Sequence, residues 1–304
     1  MKKTFLIFGG TGFLGSHLVE FLIKKHHVVV IYRKNLNFIN KLKKNKNLTL
    51  IKGKLDNFAI RKIKHFKFDS IFHFASLQIK NNLDFIDFHN GNVIVTTKII
   101  NIINNLSFKN FIYVSTTSVF SKSSFDSKGF LSHDSFCDPI NNYGLSKYIS
   151  EKILEFNFQK IKPKLFIVRL PSLFGHNHNG GIIYDFISMA QNSINIELFN
   201  QGKVYRNFLY VADAINLLNK LIIHSNKLDK NEFFVFGCKK SLMLNQIASE
   251  IIKLTKSKSK IILSEKIFYN HTDVKINNSK VISKLKLHPA DLKESLKKYI
   301  KSFN

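Results

Sequence analysis

The 304-residue sequence has no tryptophan, only four prolines and two cysteines, and far fewer acidic than basic residues. Cys137 and Cys238 offer neither metal-ligand spacing nor a framework of bridges, which excludes a disulfide scaffold and makes a reducing compartment, the cytoplasm, the expectation. No uninterrupted apolar run reaches about 18 residues, so no membrane-spanning helix is expected. Met1-Lys2-Lys3 before an apolar run imitates a secretion signal, but Gly9, Gly10, Gly12 and Gly15 break the run and no small-residue cleavage site follows. What is present is a core: 44% hydrophobic and 13% aromatic residues exclude a disordered chain. At roughly 100–200 residues per domain, the length fits one large domain or two smaller ones. Lys+Arg 47 against Asp+Glu 20 leaves a formal charge of +27. Such a surface suits nucleic acid, anionic membranes or phosphorylated small molecules. Lys, Asn, Ile and Phe share A/T-rich codons, however, so genome base composition accounts for much of the charge, and neither membrane nor specific nucleic-acid binding is expected.

Short apolar runs alternate with helix-length segments. Thr4 to Phe8 and Val28 to Tyr32 read as strands, with Ser16 to Lys25 between them carrying Leu18, Val19, Leu22 and Ile23 at helical spacing. Leu48 to Lys52, Ser70 to Phe74, Asn110 to Val114, Leu165 to Leu170 and Phe233 to Phe236 continue the strands, and Val93 to Ile103 reads as another helix. This alternation predicts an α/β fold, a doubly wound parallel sheet with helices on both faces. Residues 1–170, joined again by about 205–237, are assigned to that domain. Residues 171–304 are assigned mostly to a smaller C-terminal lobe over the strand ends, where open sheets bind ligands. Lys253 to Lys260 reads as a solvated loop.

Glycines 9, 12 and 15 lie between the first strand and the first helix. Gly9 permits a tight turn, Gly12 lets a pyrophosphate approach the backbone, and Gly15 lets the helix pack on the strand. The helix start then offers free N–H groups to phosphate. In this context the triplet is a dinucleotide-binding Rossmann signature. An Asp at the end of the second strand would accept bonds from an adenosine ribose. The chain has Tyr32-Arg33-Lys34 instead, and a guanidinium pairs with a 2′-phosphate, so NADP is slightly favoured over NAD.

Tyr143 and Lys147 stand at i and i+4, one turn apart on one helix face. A phenol with a pKa near 10 is a poor acid-base at neutral pH. A neighbouring ammonium is expected to lower it toward the working range. The pair follows Phe111 to Thr117, whose end brings a hydroxyl beside it.

Together with His73-Phe74-Ala75-Ser76-Leu77, Asn92-Val93, Ser115 to Phe120, Arg169 to Gly175 and Arg206 to Asp213, these motifs run in order along nearly the whole chain. The sequence resembles the extended short-chain dehydrogenase/reductases of the NAD-dependent epimerase/dehydratase family. The resemblance implies Thr116 as the catalytic hydroxyl, Tyr143 as acid-base, and Lys147 as the residue that tunes it and holds the nicotinamide ribose. It implies a cofactor site of Gly9, Gly12, Phe13, Leu14, Gly15, Arg33, Lys34, Leu55, Phe74, Ala75, Ser76, Asn92, Tyr143, Lys147 and Pro171. Asn92 would support the active-site backbone. Gln78, Thr117, Ser172 and Arg206 would meet the substrate, with Arg206 gripping the diphosphate of a nucleotide-sugar. Asp213 is read as structural, His176 and His178 as loop histidines with no metal. A homodimer through the helices near 93–105 and 143–158 is implied as well.

Departures from the family pattern narrow the reaction. Thr117-Ser118 stand where 4,6-dehydratases carry Asp-Glu, which argues against dehydration. Lys54 replaces a common adenine-binding Asp, Ser172 a substrate-binding Asn, and Gln78 a cleft residue that is often Lys in epimerases. Hydride transfer at C4 is favoured, by a 4-epimerase or by a 4-keto reductase. The alternative is a non-catalytic NAD(P)-sensing or nucleic-acid-associated protein of the same fold, which has no need of an intact Tyr143/Lys147 pair.

Overall fold

Four consecutive apolar residues follow Thr4 in β1 (Thr4–Phe8), and all four are buried, because the sheet it founds is covered on both faces. In chain order the other strands are β2 (His27–Tyr32), β3 (Leu48–Lys52), β4 (Lys67–His73), β5 (Ser107–Thr116), β6 (Lys164–Leu170), β7 (Ser172–Phe174), β8 (Ile196–Leu198), β9 (Tyr205–Arg206), β10 (Phe208–Tyr210), β11 (Asn231–Val235), β12 (Leu242–Met243) and β13 (Ile261–Leu263). The helices are α1 (Phe13–Leu22), α2 (Asn57–Ile63), α3 (Phe85–Phe88), α4 (Ile94–Ile103), α5 (Asn142–Phe158), α6 (Ile182–Gln191), α7 (Val211–His224), α8 (Leu244–Thr255), α9 (Ser279–Leu285) and α10 (Leu292–Lys301). A π-turn, His89–Val93, joins α3 to α4. The structure, a computed structural model, describes residues 2–33, 36, 38–79, 82–266 and 273–303.

Seven strands form one sheet in the order β11-β6-β5-β4-β1-β2-β3, a parallel Rossmann-like sheet with flanking helices. Registers such as Phe8↔Ile31 and Phe8↔His73 put the ends of β1, β2 and β4 on one edge. Alternation along the strands divides the core. Leu6, Phe8, Val29 and Ile31 pack with Ile63 of α2, Ile99 and Ile103 of α4, and Leu154 and Phe158 of α5. The alternate residues Phe5, Ile7, Val28 and Val30 are fully buried too, and α1 packs against β1 and β2.

The chain divides into two compact units. One holds residues 1–120, 137–169 and 215–234, the other residues 121–136, 170–214 and 235–304. Segment 121–136, assigned by sequence to the first unit, packs with the second because Leu131 pairs with Ile276 in a parallel bridge. Residues 205–214 likewise fall in the second unit: β9 pairs with β12, and β10 with β7. The second core gathers Phe174, Ile187, Phe208, Ile247, Ile251 and Leu296. The expected loop 253–260 begins as helix: α8 runs on to Thr255 and ends where Lys256 adopts a left-handed conformation at φ 54°.

Candidate active site

The glycine turn sits where β1 ends. Gly9 has φ +80°, and a Cβ there would fall 2.5 Å from the backbone nitrogen of Ala75, at the end of neighbouring β4. Gly15 lets α1 close on the turn, since a Cβ would lie 2.2 Å from the Gly9 carbonyl oxygen. Around Gly12, by contrast, a Cβ would meet only the Gly9 oxygen at 3.4 Å. Gly12 caps α1 with no side-chain bond, and the first turn, which includes Phe13 and Leu14, holds no acid. Helix N–H groups without side-chain caps, in a cradle kept open by a missing side chain, are the donor set that a pyrophosphate needs, so the residues fit a dinucleotide.

Arg33 follows β2 and is exposed, and Lys54 follows β3 and is exposed as well. The Gly53 N–H donates to the Tyr32 carbonyl at 3.0 Å, which fixes these two strand ends side by side. Lys34 lies outside the described residues. Leu55 is half-buried against the core of the first unit. Phe74, Ala75 and Ser76 leave β4 beside the glycine turn, with the Phe74 N–H donating to the Phe8 carbonyl at 2.9 Å.

Tyr143 and Lys147 lie one turn apart on α5, as the spacing predicts. Asn141 caps this helix by accepting from the Gly144 N–H at 2.8 Å. Gly144 presses the helix onto the segment after β5: a Cβ would stand 2.0 Å from the Ser118 carbonyl oxygen. That contact brings Tyr143 to Thr116, the last residue of β5. Thr116 Oγ1 accepts from the Ser118 N–H and donates to Ser118 Oγ, each at 3.1 Å. Thr117 opens the short turn that follows. The phenol has Ser76, Gln78 and Thr116 as hydrogen-bonding neighbours, and Phe88 packs edge-on against its ring at 5.9 Å.

The expected lowering of the Tyr143 pKa is not what this environment produces. Burial pushes the phenol above its ordinary value, and the bonds that oppose the rise come from Ser76, Gln78 and Thr116. Lys147 bears the larger perturbation. At 2% exposure its amine is drawn down to about 7 by burial, with the Glu151 carboxylate pulling the other way. The amine donates to the Val114 carbonyl at 2.8 Å and lies 4.2 Å from the centre of the Tyr113 ring.

Asn92, expected at the cofactor, is 1% exposed and gives its side chain to the protein. Its Oδ1 accepts from the Leu77 N–H at 2.7 Å and from the Ser76 hydroxyl at 3.0 Å. Its Nδ2 donates to Ser146 Oγ at 2.8 Å. It therefore fastens segment 76–77 to α5 from within the π-turn, a helix defect frequent at functional sites. The Thr96 hydroxyl donates to the Asn92 carbonyl at 2.8 Å and contacts His73 Nε2 at 2.9 Å. Sequence reasoning missed Thr96, Ser146 and Gly144. Only Gly144 carried a signal, a glycine inside a helical run.

In the second unit, Pro171 is buried and Ser172 exposed. Ser172 pairs with Phe208, and Arg206 with Leu242. The Arg206 guanidinium donates to the Tyr205 carbonyl at 3.2 Å, and burial lowers its pKa against the pull of Asp273. Asp213, in the first turn of α7, accepts from Ser295 at 3.5 Å.

Sheet, glycine turn and a Tyr/Lys pair one turn apart on α5 define a Rossmann-type α/β protein with its candidate site at the carboxyl edge of the strands. The chain belongs to the NAD dependent epimerase/dehydratase family, whose pattern matches residues 5–237, and with that family it is an enzyme. It is 27% identical over 267 residues to the dTDP-D-glucose 4,6-dehydratase of Mus musculus, covering 84% of this chain and 73% of the relative. Its fold is similar to UDP-glucuronic acid 4-epimerase from Bacillus cereus in complex with UDP-glucuronic acid and NAD, at a TM-score of 0.84 and 22% identity over 99% of this chain and 100% of the other. It is also similar to UDP-N-acetylglucosamine 4-epimerase from Methanobrevibacter ruminantium in complex with UDP-N-acetylmuramic acid, at a TM-score of 0.85 and 23% identity over 100% and 99% of the two chains. Among the described residues no helix is long and apolar enough to cross a membrane.

Proposed function

We propose that this enzyme inverts C4 of a nucleotide-activated sugar by reversible hydride transfer, with Tyr143 as acid-base. The observation that carries the reading is the phenol itself, half-buried with Ser76, Gln78 and Thr116 as neighbours and the buried Lys147 one turn away. A nicotinamide dinucleotide, held by the glycine turn, Phe13, Leu14, segment 74–76 and Lys147, supplies the hydride acceptor. Tyr143 takes the C4 hydroxyl proton as hydride leaves C4. Once the 4-keto sugar has turned over and hydride has returned to its other face, Tyr143 gives the proton back to the oxygen. Thr116 orients the same sugar oxygen, and Lys147 as ammonium offsets the phenolate charge. Gln78 and Thr117 of the first unit contact the sugar. Thr117 and Ser118 provide no carboxyl acid for loss of a C6 hydroxyl, so dehydration is not part of the reading.

A second reading, a 4-keto reductase that consumes NADPH, is favoured by exposed Arg33 at the end of β2, where it can pair with a 2′-phosphate. A homodimer is supported by the outer side of α5, where Leu145, Ile149, Ile153 and Phe156 line a shallow apolar depression. The cytoplasm suits Cys137 and Cys238, which form no disulfide.

The test is turnover on UDP- and dTDP-linked sugars and their 4-keto forms, with NADH or NADPH consumption followed and the copurifying cofactor identified. Interconversion without net consumption marks the epimerase, and stoichiometric NADPH oxidation marks the reductase. Tyr143→Phe should keep cofactor binding and lose turnover. Retained turnover in that variant overturns the mechanism.

A further inference from the structure

Beneath Lys147 the same helix face buries a second charged residue that the proposed chemistry does not use. Glu151, one further turn along α5, is fully buried, and Arg169 of β6 is 4% exposed. The guanidinium is bidentate: Nη2 donates to Oε2 at 2.7 Å, and Nε to both carboxylate oxygens at 3.2 Å. Arg169 is fixed in turn between two aromatic rings, 5.2 Å from the centre of Phe120 and 4.8 Å from that of Phe233. Desolvating two charges for stability alone is a poor bargain, since an apolar pair of equal volume usually does as well. Here the carboxylate stands at i+4 from the buried amine, so its charge is felt there with little water to screen it.

We propose that Glu151 and Arg169 are positioning residues that set the charge state of Lys147: the carboxylate holds the amine as ammonium, and Arg169 meters how much negative charge the carboxylate presents. The amine's own setting, drawn down to about 7 by burial against the pull of Glu151, is in keeping with this. The other groups around Lys147 are His73 of β4 and Tyr113 of β5, with Glu151 as its carboxylate and Tyr143 one turn away on α5. The elements packed on the remaining side of α5 contribute Asp87, His89 and Lys98, none of which is buried.

The importance of this device rests on the reading of Lys147 as the partner of Tyr143, but its test does not. Stability of the full chain without added cofactor is measured as a function of pH, with and without Lys147→Met, to isolate the step that belongs to Lys147. An amine whose folded pKa lies below its ordinary value near 10.4 makes stability rise with pH from its folded pKa upward. Glu151→Gln leaves Arg169 uncompensated and should move the start of that rise down by about one pH unit. Arg169→Gln leaves Glu151 uncompensated and should move it up by a similar amount, while the neutral double variant returns it to the wild-type position. If a single variant does not fold, Arg169→Lys, which offers one donor group in place of two, carries the test with a smaller upward shift. A merely structural pair gives no shift, or shifts of one sign in both single variants, and either result overturns the proposal. Opposite shifts in a protein that turns over no nucleotide-sugar would leave it standing and remove the proposed reaction instead.

Discussion

Gly144→Ala sets two physical rules against each other. By helix propensity alone, alanine inside α5 should stabilise the protein by up to about 1 kcal/mol. The contact predicts the reverse. The added Cβ would stand 2.0 Å from the Ser118 carbonyl oxygen and 3.2 Å from Cβ of Pro139, and neither the backbone oxygen nor the proline ring can swing aside as a flexible side chain could. Ordinary van der Waals separation is recovered only if the first turn of α5 lifts from the end of β5 by more than about 1 Å. Overpacking of this kind costs roughly 1–3 kcal/mol, so the net effect runs from near zero to a loss of about 2 kcal/mol. The lift also carries Tyr143 away from Thr116, and misplacement by about 1 Å can cost on the order of 10²-fold in turnover. Chemical unfolding followed by circular dichroism gives the first quantity, and turnover at saturating substrate the second. A variant of equal or greater stability with unchanged turnover would refute the claim that Gly144 sets the height of the phenol.

Gly15→Ala puts a Cβ 2.2 Å from the Gly9 oxygen and 2.8 Å from the Gly10 Cα. It should weaken dinucleotide binding by about tenfold or more, the equivalent of 1.4 kcal/mol, while the chain still folds. A titration of the folded variant with NAD or NADPH that matches wild type would count against the cradle. Burial holds the His73 imidazole well below its ordinary value, so the unfolded chain takes up a proton that the folded chain refuses. Stability should therefore fall as pH drops below about 6.5, by up to roughly 1.4 kcal/mol per pH unit for this group. His73→Asn should flatten the fall; His26 and His27, lowered and less buried, keep part of it.

The inner strands were legible because burial on both faces leaves little room for polar residues: Thr4 to Phe8 and Val28 to Tyr32 are runs buried almost throughout. The glycine turn was legible because its spacing has a steric cause. The site helix is harder to read, and for a physical reason. Its first half buries Ser146, Lys147, Ser150 and Glu151 while Leu145 is exposed, and only the second half, with Leu154 and Phe158 buried, follows the usual amphipathic pattern. The pairing of Glu151 with Arg169 across 18 positions, and of Asn92 with Ser146 across 54, is set by sheet order and leaves no periodic trace. Strands of two and three residues in the second unit are too short to show any pattern.

The pair at the centre of the site also corrects a rule of sequence reading. Tyr-x-x-x-Lys is read as a phenol acidified by an ammonium, yet burial acts on both partners at once: it favours the neutral phenol and, by drawing Lys147 down to about 7, the neutral amine. Charging either one alone in this pocket is costly, whereas charging them together lets each offset the other's desolvation. Acidity adequate for catalysis arises when something else fixes the amine in its charged form. Among the described residues the group that pulls the amine that way is Glu151, one turn deeper on the same face and itself balanced by Arg169. The working pKa of Tyr143 is on this argument a property of four residues spread over α5 and β6, and the motif names only the outer two.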